Sequence, residues 1–318
     1  MPMIVMIIAT SGALRAAGSH LGMRRVQKVF HIGVHRTATT TFQDYLDRNQ
    51  SCLADCGIAT WTPRHLLGGL FSGMIRPPAD TSLACERSSA MIGLTLARLA
   101  RKSVRQLVVS EENMMGTIRV NIRERSLYPE AGPRLGRFAR AFNGDCDRIV
   151  MGIRSYDSFW TSCFSYAARA GMPRLSPSQK MRIATGVRGW REVIYDVKTQ
   201  FPDTPIHVTL FESFASRSKD FLGVVCGDDD VSGAMDHKPI RRNASQPCAV
   251  QIFDAHTRAV LRNRYDEDRR WLENGADGLA RLIQPQQNQN DDMRGPKLAK
   301  AQHAAPYGGH HGTQQRMV

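Results

Sequence analysis

The stretch from Val29 to Gln43, VFHIGVHRTATTTFQ, constrains the fold more than any other part of the chain. Val29, Phe30 and Ile32 form a short apolar run of the kind that becomes a buried strand. The run breaks at Gly33 into a loop of small and hydroxylated residues. Beyond it, Phe42, Tyr45, Leu46 and Leu53 recur at helical spacing, which predicts an amphipathic helix. A strand, a small-residue loop and a helix N-terminus in that order aim backbone N–H groups at an anion. Thr37, Thr39, Thr40 and Thr41 add hydroxyl donors, and Arg36 adds a fixed positive charge. A phosphate or sulfate-like group is the expected guest.

Further along, strands and helices alternate. Leu107 to Ser110 reads as a buried strand that delivers Glu111, Glu112 and Asn113 at its C-terminal end. Arg148 to Ile153 reads as another, ending at Arg154, with a helix over Ser155 to Ala170. Ile206 to Phe211 is a late strand ending at Glu212, and a helix follows from Phe214 to Val225. The first helix is predicted from about Thr40 to Cys56, with Gly57 beyond its end. Ser88 to Gln106 is helical in pattern, with a basic face of Arg98, Arg101, Lys102 and Arg105. Two more helical stretches are expected in 247–283. The alternation points to an α/β fold with a doubly wound parallel sheet, whose ligands bind beyond the strand C-termini. Three regions follow: an N-terminal extension (1–25), a single domain (26–283) and a disordered polar tail (284–318).

Charge and cysteine usage narrow the partners and the compartment. The 318 residues carry a formal charge of +14 and a pI near 9.9, which implies anionic partners. The seven cysteines are scattered and odd in number, which fits a reducing, cytoplasmic setting rather than a disulfide framework. Cys52 and Cys56 share a helix face, but no Cys/His pair completes a zinc set. No metal site is expected. The apolar run within Met1 to Ala17 is too short to span a bilayer and lacks a basic flank before it. It reads as an unstructured or mis-started extension, with Met23 as a natural start. No other stretch qualifies as an integral membrane segment.

The loop is not that of an ordinary ATPase. The pattern G-x-x-x-x-G-K-[ST] from Gly33 would need Gly and Lys where Ala38 and Thr39 stand. The cation comes earlier, at Arg36. That displacement resembles the 5′-phosphosulfate loop of the sulfotransferase family, roughly G-x-x-K-[ST]-G-T-T-x-L-Q, filled here by Gly33, Arg36, Thr37, Ala38, Thr39, Thr40, Phe42 and Gln43. Arg36 replaces the usual Lys and Ala38 the usual Gly. Ala38 therefore adds a Cβ where close backbone approach or an unusual φ is needed. A second motif, Arg154 followed by Ser162 in IRSYDSFWTS, resembles the family's 3′-phosphate motif. An arginine fork and a hydroxyl also suit a terminal phosphate on chemical grounds. SEEN at 110–113 and LFES at 210–213 resemble strand ends of the bacterial and heparan-type, carbohydrate-modifying branch. RRNAS at 241–245 resembles that branch's basic loop over the nucleotide.

The resemblance covers about Val29 to Ser245. It implies a P-loop NTPase-like parallel sheet flanked by helices, the sulfotransferase fold. The donor would be 3′-phosphoadenosine 5′-phosphosulfate (PAPS), the product 3′-phosphoadenosine 5′-phosphate (PAP), and no metal would be needed. A sulfuryl group carries less charge than a triphosphate, so side-chain cations can stabilise its transfer. Arg36 would act on the leaving oxygen. Arg36, Thr37, Ala38, Thr39, Thr40 and Thr41 would hold the phosphosulfate, and Arg154, Ser162, Arg241 and Arg242 the rest of the nucleotide. Glu112, or less readily Glu111, would take the acceptor's proton. His35 is a rival base, though a neutral histidine packed under the loop is the preferred reading. The acceptor would be a hydroxyl on a glycan or small molecule. Two other readings stand beside this one: a nucleotide-dependent kinase with a variant loop, and a non-catalytic polyanion-binding protein. No nucleic-acid motif is present, and nucleic acid is not the expected partner.

Overall fold

The computed structural model describes residues 25–285, apart from 67–68, 76–80, 170, 172–173, 229 and 236–251. The expectations for the N-terminal extension, the polar tail and the basic loop with Arg241 and Arg242 lie outside the described residues.

In chain order the elements begin with β1 (Gln27–Ile32), α1 (Thr39–Arg48), α2 (Gln50–Asp55), β2 (Ile58–Trp61), α3 (Pro63–Leu66), α4 (Ser72–Ile75) and α5 (Thr81–Arg101). Next come β3 (Gln106–Glu111), α6 (Ile118–Glu124), α7 (Ala131–Ala141), β4 (Arg148–Ile153), α8 (Tyr156–Arg169), α9 (Pro177–Ala184) and α10 (Trp190–Gln200). The last are β5 (Ile206–Leu210), α11 (Phe211–Phe214), α12 (Ser218–Cys226), α13 (Ala255–Glu273) and β6 (Arg281–Ile283).

The strands form one sheet in the order β2-β3-β1-β4-β5-β6, and every pairing is parallel. This is the α/β architecture expected from the alternation of elements. A parallel sheet must be covered on both faces, and the alternation along β1 shows how. Phe30 and Ile32 enter one core, with Leu135 and Phe138 of α7, Phe159 of α8 and Val193 of α10. Val29 enters the other, with Phe42 and Leu46 of α1 and Leu222 and Val225 of α12. Fully burying a side chain such as Phe30 stabilises the fold by on the order of 2 kcal/mol.

Strand order fixes where a ligand can bind. From β1 the chain moves outward to β2 and back to β3. From β4 it proceeds the other way through β5 to β6. The order therefore reverses between β1 and β4, and the loops leaving those two strands diverge there. Such a crevice is the usual ligand position in an open parallel sheet.

Four local expectations need correction. The first helix is not continuous to Cys56: it breaks at Asn49, whose backbone N–H and side-chain Nδ2 both donate to the Tyr45 carbonyl at 3.2 and 3.0 Å. Asn competes for its own backbone in this way, which disfavours helix interiors. The long helix α5 starts at Thr81 rather than Ser88 and ends at Arg101. The helix expected from Phe214 starts at Ser218 instead, after the one-turn α11. Of the two helical stretches expected in 247–283, the first is the helix α13, the second is only a 3₁₀ turn at Ala276–Gly278, and the edge strand β6 follows. Three residues are too few for a periodic signal, and pairing with β5 is what makes them a strand. No described helix is long and apolar enough to cross a membrane. The six described cysteines are unpaired.

Candidate functional site

The loop after β1 is folded by its own residues. Gly33 donates its N–H to the Glu111 carbonyl at 3.1 Å. A Cβ on Gly33 would sit 2.4 Å from Thr39 Cγ2 and 3.0 Å from Glu112 Cα, so only glycine fits this crossing. The hydroxyls of Thr37 and Thr39 then donate to the Val34 carbonyl, at 2.6 and 2.9 Å. Those bonds curl the loop back on the strand end. Arg36 and Ala38 take left-handed backbone angles, with φ of 65° and 62°.

The curl leaves donors without acceptors. Ala38 caps α1 and has no side chain able to cap it. The N–H of His35 is taken by the Tyr128 hydroxyl at 2.8 Å, and that of Phe42 by the Ala38 carbonyl at 3.0 Å. Between them, the N–H groups of Arg36, Thr37, Ala38, Thr39, Thr40 and Thr41 find no acceptor among the described residues. Alternating left- and right-handed residues ahead of a helix N-terminus form an anion-binding nest.

Two guanidinium groups flank the nest. Arg36 Nε donates to Ser162 Oγ at 2.7 Å. Arg154, at the end of β4, donates from Nη1 to the Arg36 carbonyl at 2.7 Å and from Nε to Ser158 Oγ at 2.8 Å. It also lies over the Phe211 ring, 4.3 Å from the centroid. Ser162 is thus bonded to Arg36, and the hydroxyl on Arg154 is Ser158. Partial burial and the neighbouring Arg36 both disfavour the charge on Arg154 and depress its pKa, against the pull of Glu212. Against the loop, a cleft lined by His31, Thr37, Ala38, Phe42, Gly152, Thr209, Phe211 and Phe221 lies along β1, β4 and β5.

Carboxylates gather on the other side of β1. Glu111 is buried, and its Oε1 accepts from Asn113 N and Nδ2 at 2.8 and 2.7 Å. Burial, and then the adjacent Glu112, push its pKa up to about 7. Glu112 is half-buried and accepts at Oε2 from Gln43 Nε2 at 2.8 Å. His35 Nδ1 lies 3.0 Å from the Tyr128 hydroxyl, and the two rings stack. Burial of the imidazole lowers its pKa to about 4, so it is neutral at neutral pH. Swinging this neutral ring to a reacting hydroxyl would break its Nδ1 contact with Tyr128 and the stacking of the two rings.

Of the residues singled out by sequence, the structure brings Arg36, Arg154 and Ser162 together around the nest, with Thr37 to Thr41 forming it. Glu112 stands next door, while Arg241 and Arg242 lie outside the described residues. Sequence reasoning missed Ser158, Tyr128 and the contact from Gln43 to Glu112. Ser158 had a signal, since it lies one turn beyond Arg154. Tyr128 had none, because it reaches His35 only through the tertiary fold. Among the described residues no cluster of three or more His, Cys, Asp or Glu side chains is arranged to hold a metal ion.

The sequence matches no family model, and no curated protein is significantly similar to it. A solved structure, the sulfotransferase from Alicyclobacillus acidocaldarius, is similar over 81% of this chain and 97% of that one. The identity is 13% and the TM-score 0.44. A likeness that distant assigns neither activity nor substrate.

Proposed function

We propose that this chain is a PAPS-dependent sulfotransferase. The nest of six unclaimed N–H groups, with Arg36 and Arg154 at its rim, carries the reading. It suits a tetrahedral anion with several acceptor oxygens, and two guanidinium groups suit a nucleotide with phosphates at two positions. PAPS would supply the activated sulfuryl group. Thr37 to Thr41 would hold the 5′-phosphosulfate by backbone N–H groups. Arg154 would turn from the Arg36 carbonyl toward the 3′-phosphate, with Ser162 beside it. Arg241 and Arg242 would close over the nucleotide.

Transfer would proceed in line. An acceptor hydroxyl oxygen forms the new S–O bond as the bond from sulfur to the 5′-phosphate oxygen breaks. Glu112 takes the hydroxyl proton, and Arg36 stabilises the charge left on the phosphate oxygen. Glu111 is the poorer base, because it is buried while Glu112 is half-buried. The net charge of +14 favours an anionic acceptor, and a sugar hydroxyl on a glycan is the choice that fits it best.

Calorimetric titration with PAP, compared with ATP and Mg²⁺, tests the nucleotide site. PAP should bind, and Arg154→Ala should weaken it about 100-fold, corresponding to about 3 kcal/mol for a lost charge-assisted contact. A folded protein that ignores PAP overturns the reading. Binding of ATP only with Mg²⁺ would favour the kinase reading instead.

A further inference from the structure

Gln43 lies one turn into α1, in the same helix whose N-terminus forms the nest. It is almost wholly buried, 6% exposed. Its Nε2 donates to Glu112 Oε2 at 2.8 Å and to the Ser110 backbone carbonyl at 3.3 Å. Both amide hydrogens are therefore spent on acceptors. The reversed amide would set its oxygen against two acceptors, so the orientation is fixed by chemistry.

The partners of Gln43 are themselves held. Ser110 Oγ lies 2.8 Å from His31 Nδ1, across the pairing of β1 with β3. His31 is buried between the edges of Phe42 and Phe221, with ring centroids 5.1 and 5.2 Å away. The Gly33 N–H fixes the Glu111 carbonyl, and the backbone of Glu112 passes against Gly33. Glu112 Oε1 has no hydrogen-bond partner among the described residues.

We infer that Gln43 is a positioning residue for Glu112. Its amide fixes one carboxylate oxygen against the strand end and leaves the other facing the acceptor, on the same rigid helix that holds the donor's phosphate. This rests on the sulfotransferase reading above. A donated hydrogen bond favours the ionised form of the carboxylate that accepts it.

The test is Gln43→Met, which keeps length and bulk but removes the donor. With PAPS and a hydroxyl acceptor, kcat should fall about tenfold while the KM for PAPS stays unchanged. The acid limb of the kcat profile should move up by about one pH unit, the size expected from losing a bond to a charged group. Gln43→Glu should move it further the same way, because two carboxylates then face each other. A fall in kcat with an unmoved acid limb overturns the proposal, since a merely structural role gives that result.

A second readout needs no activity. Carboxyl ¹³C titration of glutamate-labelled protein follows Glu112 directly, its signal assigned by loss in Glu112→Gln. An upward move in Gln43→Met supports the contact even if no PAPS-dependent transfer is found, and the transferase reading alone then fails. An unmoved Glu112 titration overturns the inference whatever the activity. If Gln43→Met does not fold, Gln43→Asn is read in the same way, as its shorter amide cannot reach the carboxylate.

Discussion

The crevice between β1 and β4 and the one between β1 and β3 share a single loop, yet they hold opposite charges. Arg36 and Arg154 stand in the first, Glu111 and Glu112 in the second. Each crevice holds its charged groups with neutral partners. The arginines rest on serine hydroxyls, a backbone carbonyl and the face of Phe211. The glutamates rest on the amides of Gln43 and Asn113. None of the four has an ion pair within 4.0 Å among the described residues. Elsewhere the charges are neutralised directly, as where Arg25 meets Asp147 and Arg262 meets Asp157. A salt bridge across the loop would quench both groups. Keeping them apart leaves the guanidinium groups of one crevice and the carboxylates of the other without a direct counter-charge.

That separation can be broken experimentally. The largest effect is expected for Glu112→Gln, which removes the proposed base but leaves the nest intact. Turnover should fall about 10³-fold, within the span of general base catalysis, while calorimetric PAP affinity stays within about twofold. A parallel loss of PAP affinity would show that the two crevices act as one.

His31 buttresses the acidic side through Ser110, and its contribution is read in stability. Burial lowers its pKa to about 3 from an ordinary 6.5. The unfolded chain therefore binds the proton that the fold refuses between those values, and stability is lost as pH falls through that window. The loss is up to about 1.4 kcal/mol per pH unit. Glu111, raised to about 7, works in the opposite direction, so the difference from a variant is the clean readout. In urea unfolding at pH 7 and pH 5, wild type should lose stability relative to His31→Gln. Equal pH slopes in the two proteins would remove the buried neutral imidazole from the account.

The smallest effect concerns the cationic side. Ala38 holds a left-handed conformation that costs a residue with a Cβ about 1 kcal/mol. Ala38→Gly should raise the midpoint of thermal unfolding by a few degrees without weakening PAP. A lower midpoint would mean that the methyl group packs usefully against the cleft it lines.

Much of the cationic crevice was legible because it is local. Gly33, Arg36 and the threonines lie within one strand–loop–helix, and the chemistry of each residue type dictates the curl. Arg154 was legible as a strand-end cation, but its partners were not: Ser162 goes to Arg36, and Ser158 takes its place. The acidic crevice was half legible. Glu111 and Glu112 follow an apolar run, but nothing in their spacing says which is buried. Gln43 lies inside the loop motif, yet its contact with Glu112 depends on β3 lying against β1.

Sequence alone carried the alternation of elements, the glycine-broken loop after the first strand and the positions of the charges along the chain. Those features follow from periodicity, glycine geometry and side-chain chemistry over a few residues. That β1 lies between β3 and β4 was settled by the fold. That order brings Glu112 to Gln43 and Arg154 to the Arg36 carbonyl. Strand order depends on how helices far apart in sequence share two cores, and no short stretch carries that information.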